Sequence, residues 1–151
     1  MSPTHRAKLT IEMVPEPLWG RNLRDSLKKS EWDRLRKARF ISVGNVCEIC
    51  GGVGSRYAVG CHEIWEYDDQ NRIQILRGLM ALCPACSDVK HYGLACEGGR
   101  GEEAKARLMK FNGWTVTEAD AYVEQERALW HKRSEVEWTQ DISWLETTKK
   151  L

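Results

Sequence analysis

Apolar and polar residues alternate near the start of the chain, and the pattern then changes to a helical period. Residues 9–14 alternate and include β-branched side chains, which predicts a short strand ended by the prolines that follow. Ser30 is a typical N-cap with acidic residues after it, so we expect a helix from there to about Ile41. Its apolar side would carry Trp32, Leu35, Ala38 and Phe40.

The middle of the chain is rich in cysteines and turn residues. Gly78 interrupts an otherwise β-like apolar run, and Pro84 suits the first turn of a helix. The predicted elements are a strand (57–65), a polar turn (66–71), a second strand (73–82) and a short helix (84–91) that Gly93 closes.

Beyond a glycine-rich connector at residues 96–101 the pattern becomes helical. Asn112 and Gly113 form a typical C-cap pair after one helix, and a second helix starts near Thr117 and extends past His131. We expect an α+β fold whose hairpin-and-helix core is flanked by N-terminal and C-terminal helices. Its predicted parts are an N-terminal strand and basic helix (1–45), a cysteine-rich core (46–95) and a Trp-rich helical region packed on that core (96–151).

Length and composition fit one ordinary domain. The chain has 151 residues, 42% hydrophobic and 30% charged, which excludes a disordered chain. It has no run of about 18 apolar residues and no apolar signal segment, so we expect a cytoplasmic protein without a membrane span. Because thiols stay reduced in that compartment, the six cysteines are better interpreted as metal ligands or core residues than as disulfides.

Two C-x2-C pairs, Cys47 with Cys50 and Cys83 with Cys86, predict a structural zinc site. Two residues between thiolates allow both sulfurs to bind one ion at about 2.3 Å, and two pairs complete a closed tetrahedral site. Glycines after the first pair permit the turn that directs N–H groups at the sulfurs. The alternatives are a redox-active dithiol or simple burial of the thiols.

Two histidines lie beside these pairs. His62 is near the end of the first predicted strand, and His91 is five residues after Cys86. Histidines that face each other across a strand and a helix would suit a hydrolytic metal site. The alternative for each is an ordinary surface or core histidine.

Four segments between residues 46 and 91 form one pattern: CEIC at 47–50, CHEIWEYDD at 61–69, GLMALCPAC at 78–86 and VKH at 89–91. This pattern resembles the HNH endonuclease family, the ββα-metal nucleases. A closer likeness to small bacterial and phage proteins of that family extends over most of the chain. The resemblance implies a ββα-metal core with a structural four-cysteine zinc site.

The resemblance also implies roles for individual residues. His62 would be the general base, and His91 would be a ligand of a catalytic divalent ion, which could be Mg2+, Mn2+, Ni2+ or Zn2+. Cys61 stands where the family commonly has an Asp or His ligand, so it is a candidate second ligand, although a soft thiolate suits Mg2+ poorly. Ser87 replaces a further ligand histidine and Gly78 the family's middle asparagine. These departures imply a weakened metal site.

Positive charge is concentrated in the predicted N-terminal helix. Residues 21–39 hold eight basic and three acidic residues, a net charge of +5 against +1 for the whole chain. Such a face suits a nucleic-acid backbone, because neutralised phosphates release counterions. A solvated helix face is the alternative. The residues that we expect to contact DNA are Arg34, Arg36, Lys37, Arg39 and Lys90.

These features predict a metal-dependent DNA endonuclease with a structural zinc ion and a second divalent ion. One alternative is an inactive HNH-like protein that binds DNA or a protein, for example a phage-type inhibitor of a host defence complex. Another is a purely structural zinc module. A protein partner would contact the Trp-rich C-terminal region, although most of the seven tryptophans should be core anchors.

Overall fold

A three-stranded sheet with helices packed around it forms the centre of the molecule. The computed structural model describes residues 7–52 and 59–149, and these form a mixed α+β fold. The strands are β1 (Gly60–Asp68), β2 (Ile73–Leu82) and β3 (Thr139–Asp141). The helices are α1 (Leu23–Ser26), α2 (Lys29–Ser42), α3 (Pro84–Lys90), α4 (Tyr92–Glu97), α5 (Gly101–Asn112) and α6 (Val116–Ser134), with 3-10 turns at Glu16–Leu18 and Ser143–Thr148.

Strands β1 and β2 form an antiparallel hairpin. The pairing runs from Gly60 opposite Leu82 to Asp68 opposite Ile73, so the turn is shorter than predicted. Gly78 does not end β2, but the register shifts beside it: Ile64 pairs with Gly78 and Trp65 with Leu76, so Arg77 is an extra residue that forms a bulge in β2. The start predicted at residue 57 lies outside the described residues.

Residues 9–14 do not form the predicted strand. Their backbone groups bond to helices instead: the Glu12 N–H donates to the Lys90 carbonyl over 2.9 Å, and the Ile11 N–H to the Tyr122 hydroxyl over 3.0 Å. A strand requires the backbone of a neighbouring strand as its hydrogen-bond partner, whereas the partners of this segment are a helix end and a side chain. It therefore ties the beginning of the described chain to α3 and α6.

The predicted N-terminal helix is present as α2. It begins one residue before Ser30, with Lys28 as its N-cap and no side-chain cap hydrogen bond. The prediction that Gly93 closes the third helix is wrong, since the chain continues as α4 through that glycine to Glu97.

The C-terminal helices agree more closely with the pattern. Helix α5 ends at Gly113, whose φ of 67° is left-handed as the predicted C-cap requires. Helix α6 begins one residue earlier than expected, at Val116, because Thr115 and Glu118 form a reciprocal capping box. It ends at Ser134, and the chain then returns to the sheet as β3, which pairs parallel with β2 and which the sequence did not indicate.

The apolar core has two parts. The smaller lies between α1, α2 and the sheet, and the larger joins the N-terminal segment, the cysteines and helices α3 to α6. Six of the seven tryptophans are buried or half-buried, whereas Trp19 is 61% exposed. Among the described residues, no helix is both long and apolar enough to cross a membrane.

Candidate functional site

Four cysteine sulfurs from the two C-x2-C pairs meet at one point. Their Sγ atoms all lie within 4.8 Å of one another. The distance between Cys50 Sγ and Cys83 Sγ is 3.7 Å, far longer than the ~2.05 Å of a disulfide. Thiolates at about 2.3 Å from a tetrahedral zinc ion lie about 3.8 Å apart. The spacing and the donor chemistry therefore fit a metal ion such as zinc.

Tight turns direct backbone N–H groups at these sulfurs. In the first pair, Gly51 adopts a left-handed φ of 75° and its N–H donates to the Cys47 carbonyl over 2.8 Å. The next N–H, that of Gly52, lies 3.4 Å from Cys50 Sγ. The second pair repeats this contact at the start of α3, where the Cys86 N–H lies 3.5 Å from Cys83 Sγ. The turn expected from the glycines is thus present.

The protonation of Cys50 is consistent with a metal-binding thiol. Burial by itself raises the pKa of this thiol, but the hydrogen bond from the Gly52 N–H and those around the cluster lower the pKa to about 7. Thiolate is the form that binds zinc, and the lowered pKa of Cys50 reduces the free energy needed to deprotonate this thiol.

His62 and His91 converge at the end of α3 opposite the cysteines. His62 projects from β1, and His91 stands at the C-terminal end of α3. Their ring centroids are 5.3 Å apart with the planes tilted by 67°. His62 is buried, with 7% of its surface exposed, whereas His91 is exposed. The partial loss of hydration at His91 and the charge of His62 lower the pKa of His91.

Glu12 from the N-terminal segment completes this group. Its Oε1 lies 3.0 Å from Nε2 of His62, and its Oε2 accepts hydrogen bonds from Nζ of Lys90 and from Oγ1 of Thr10. Burial would raise the pKa of Glu12, but the hydrogen bond with His62 and the charge of Lys90 outweigh it and hold that pKa at about 2. Glu12 is therefore an ionised acceptor, and Nε2 of His62 is the nitrogen that carries the proton.

Cys61 lies away from the two histidines. Successive strand residues point to opposite faces, and Cys61 packs against the cluster that contains Trp32 and Leu35. Burial and the nearby Glu63 carboxylate raise its pKa to about 12, so the thiol stays protonated. The arrangement therefore does not bring Cys61 together with His91 as a second metal ligand.

Ser87 lies in α3, one helical turn before His91, whose N–H donates to the Ser87 carbonyl over 2.9 Å. In the part of the chain that the structure describes, the four cysteines are the one group of three or more Cys, His or carboxylate ligands within 4.8 Å of each other. His62 and His91 are therefore not part of such a three-ligand group among these residues.

Four of the five residues expected to contact DNA form ion pairs with acidic residues of the protein, and one of the four is buried. Arg34 pairs with Glu31, Arg36 with Asp33, and Arg39 with Glu48, all on or beside α2. Lys90 is buried and its ammonium group bonds to Glu12. A phosphate contact requires an exposed ammonium, so the prediction that Lys90 contacts DNA is wrong. Lys37 is exposed. Because α2 packs on the Cys61 face, its basic side chains and the His62–His91 pair lie on opposite faces of the hairpin, whereas Lys90 lies on the histidine side.

Glu12 is the residue of this site that the sequence did not identify. The available signal was an acid within the mostly apolar residues 9–14, with Thr10 two positions before it and therefore on the same side of an extended chain. The HNH resemblance does not reach this segment with a motif, and the partner on β1 is fifty positions away.

In comparisons with known proteins, the chain matches no family model, no curated protein and no solved structure.

Proposed function

We propose that the chain is an HNH-like, zinc-stabilised protein that hydrolyses phosphodiester bonds of DNA, with His62 as its general base. The observation that supports this proposal is the approach of His62 and His91, with ring centroids 5.3 Å apart, from a strand and from the helix that follows the hairpin. A general base and a metal ligand must meet at the same phosphate, and these two imidazoles are close enough to do so.

The four cysteines take the structural role. Four thiolates saturate a tetrahedral ion, so the centre leaves no position for substrate. It holds the loop of Cys47 and Cys50 against the start of α3, where Cys83 and Cys86 lie. Because His91 ends the same helix, zinc at this centre would fix the position of His91 relative to β1.

Glu12 determines which nitrogen of His62 accepts a proton. The ionised carboxylate accepts the hydrogen bond of Nε2–H over 3.0 Å, so the lone pair of the neutral ring is on Nδ1. We assign Nδ1 as the atom that takes a proton from the attacking water, which must come within about 2.6–3.2 Å of it. His62 is 7% exposed, and its ring centroid lies 5.3 Å from that of the exposed His91.

A divalent ion at His91 would stabilise negative charge on the scissile phosphate. The protein donors for it are few: Glu12 is neutralised by Lys90, and Ser87 supplies no imidazole. Substrate oxygens and water would have to complete its coordination, as is usual for Mg2+. We therefore expect weak metal binding and slow cleavage.

A second candidate is an HNH-like module that binds DNA or a protein without cleaving DNA. The observation that favours it is the ion pair between Glu12 and Lys90, which places a cation where a metal-binding carboxylate would be useful. DNA as partner depends on the exposed Lys37, because Arg34, Arg36 and Arg39 already have acidic partners.

The experiment is a cleavage assay on supercoiled plasmid and on single-stranded DNA, with Mg2+, Mn2+, Ni2+ or Zn2+ added, alongside a DNA-binding measurement. We expect nicking by the native protein and at least a 100-fold loss in His62→Ala, the usual contribution of a general base. His131→Ala is the matched control, since His131 is an exposed histidine on α6. Ser87→His should strengthen metal binding and cleavage together.

The outcomes separate the candidates. DNA binding without cleavage under all four metals, in the native protein and in Ser87→His alike, would favour the binding module. Equal cleavage by the native protein and His62→Ala would remove His62 from the reaction.

A further inference from the structure

Helix α5 brings one arginine against the cysteine cluster. Nε of Arg107 lies 3.2 Å from Cys86 Sγ, and Nη2 lies 3.7 Å from Cys83 Sγ. This helix is outside both C-x2-C pairs and packs on α3 and α4. The guanidinium therefore contacts the second pair from an element that contributes no cysteine to the cluster.

Charge explains why a cation belongs there. A zinc ion with four thiolates has a net charge of −2, and Cys83 and Cys86 are 5% and 0% exposed. Such a charge is costly to bury unless donors and a counter-charge surround it. The N–H groups of Gly52 and Cys86 are neutral donors at 3.4 and 3.5 Å, whereas Arg107 supplies a full positive charge.

The side chain of Arg107 is held in place for this role. Its Cζ lies 4.9 Å from the centroid of the Phe111 ring, one turn further along α5. A planar guanidinium held against an aromatic ring presents its N–H donors to two sulfurs in a fixed geometry, whereas an ammonium on a flexible stem must lose more conformational freedom to do the same.

We propose that Arg107 is the charge partner of the zinc–thiolate centre, so that zinc binding and the docking of α5 on α3 stabilise each other. The inference rests on the proposed zinc site. The coupling is reciprocal. The free energy by which the docked helix strengthens zinc binding equals the free energy by which bound zinc strengthens the docking of α5. The residue acts through the cysteines and is a positioning residue.

The test is the rate at which zinc passes from the loaded protein to a chromogenic chelator. We expect release from Arg107→Gln about tenfold faster than from the native protein, in line with the effect of removing groups that contact metal ligands. Arg107→Lys should fall between the two. The matched control is Arg127→Gln, because Nη2 of Arg127 lies 3.7 Å from the sulfur of Cys96, which is outside the cluster. Release from this variant should equal that from the native protein.

Hydrogen exchange on the zinc-loaded variants gives a second readout. Peptides from α5 should exchange faster in Arg107→Gln than in Arg127→Gln, and Arg107→Lys supplies the same comparison if the Gln variant does not fold. Native protein that folds without zinc would overturn the zinc site itself. One zinc per chain, with release and α5 exchange equal in the Arg107 and Arg127 variants, would overturn the role of Arg107 alone.

Discussion

Oε1 of Glu12 lies 3.0 Å from Nε2 of His62, although the two residues are fifty positions apart. The other carboxylate oxygen accepts a hydrogen bond from Lys90, which is itself buried. An extended segment near the start of the chain thus orients the imidazole that the hairpin presents to His91. The candidate site consequently depends on the docking of this segment as much as on the hairpin and helix.

Replacement of Glu12 by Gln should destabilise the fold. The change leaves the Lys90 charge buried without its partner, which costs about 3 kcal/mol, the lower end of the range for a buried pair, because 29% of the Glu12 side chain is exposed. Urea denaturation measures this difference. Glu16→Gln, an exposed acid nearby, should change the free energy of unfolding by less than ~0.5 kcal/mol. Equal stability of the two variants would mean that the ion pair contributes little.

The same carboxylate predicts an acid-dependent loss of stability. The pKa of Glu12 is about 2 in the folded chain and 4.5 when unperturbed, a difference worth about 3 kcal/mol. Since the folded-state pKa is the lower one, this stabilisation is complete above about pH 4.5 and disappears as the pH falls towards 2. The gap in unfolding free energy between the native protein and Glu12→Gln should therefore shrink over that range. A comparison of the two proteins cancels the effect of zinc loss in acid, and a gap independent of pH would contradict the assignment.

Trp130 and Trp19 provide a matched pair of aromatic residues. Both indole N–H groups donate to the Val14 carbonyl at 2.8 Å, and the rings stack with centroids 6.3 Å apart. Trp130 is half-buried and Trp19 is 61% exposed. Trp130→Ala should cost about 2–3 kcal/mol, and Trp19→Ala less than about 1 kcal/mol, in thermal or urea unfolding. The opposite order would indicate that Trp19 is the structural anchor and that the Trp130 ring is free for a partner.

Charge reversal on α2 tests the predicted DNA contacts. Lys37→Glu should weaken DNA binding and reduce the slope of log affinity against log salt by about 1, because one phosphate contact is lost. Arg36→Glu should have the smaller effect on DNA affinity, since Arg36 is held by Asp33 at 2.9 Å. Lys132→Glu, which reverses an exposed charge on α6, is the control. An affinity that none of these changes alters would exclude α2 from any DNA interface.

Local patterns predicted the parts of the structure that are determined locally. The spacing within each C-x2-C pair, the left-handed turn at Gly51 and the C-cap at Gly113 each depend on a few consecutive residues, and all three are present. The approach of His62 to His91 depends on the hairpin and the short helix after it, which were also predicted with errors of a few residues.

Features that depend on distant pairing were not predictable in this way. The alternation of residues 9–14 indicated a strand, but their partners are helices far along the chain. The three residues of β3 are too few to carry a periodic signal, and nothing near Arg107 in the sequence points to Cys86. The excess of basic residues in α2 was counted correctly, but the acids that pair with them are positioned by the helix and by the loop of Glu48.

Native mass spectrometry of protein purified without added metal tests the zinc-stabilised fold most directly. A zinc-stabilised fold predicts one zinc ion per chain in the native protein and in Cys96→Ser, whose cysteine lies outside the cluster. Cys83→Ser should lose the ion and unfold at a much lower temperature, because zinc binding contributes on the order of 10 kcal/mol to folding. A native chain that is folded and free of metal, or a Cys83→Ser variant as stable as Cys96→Ser, would contradict it.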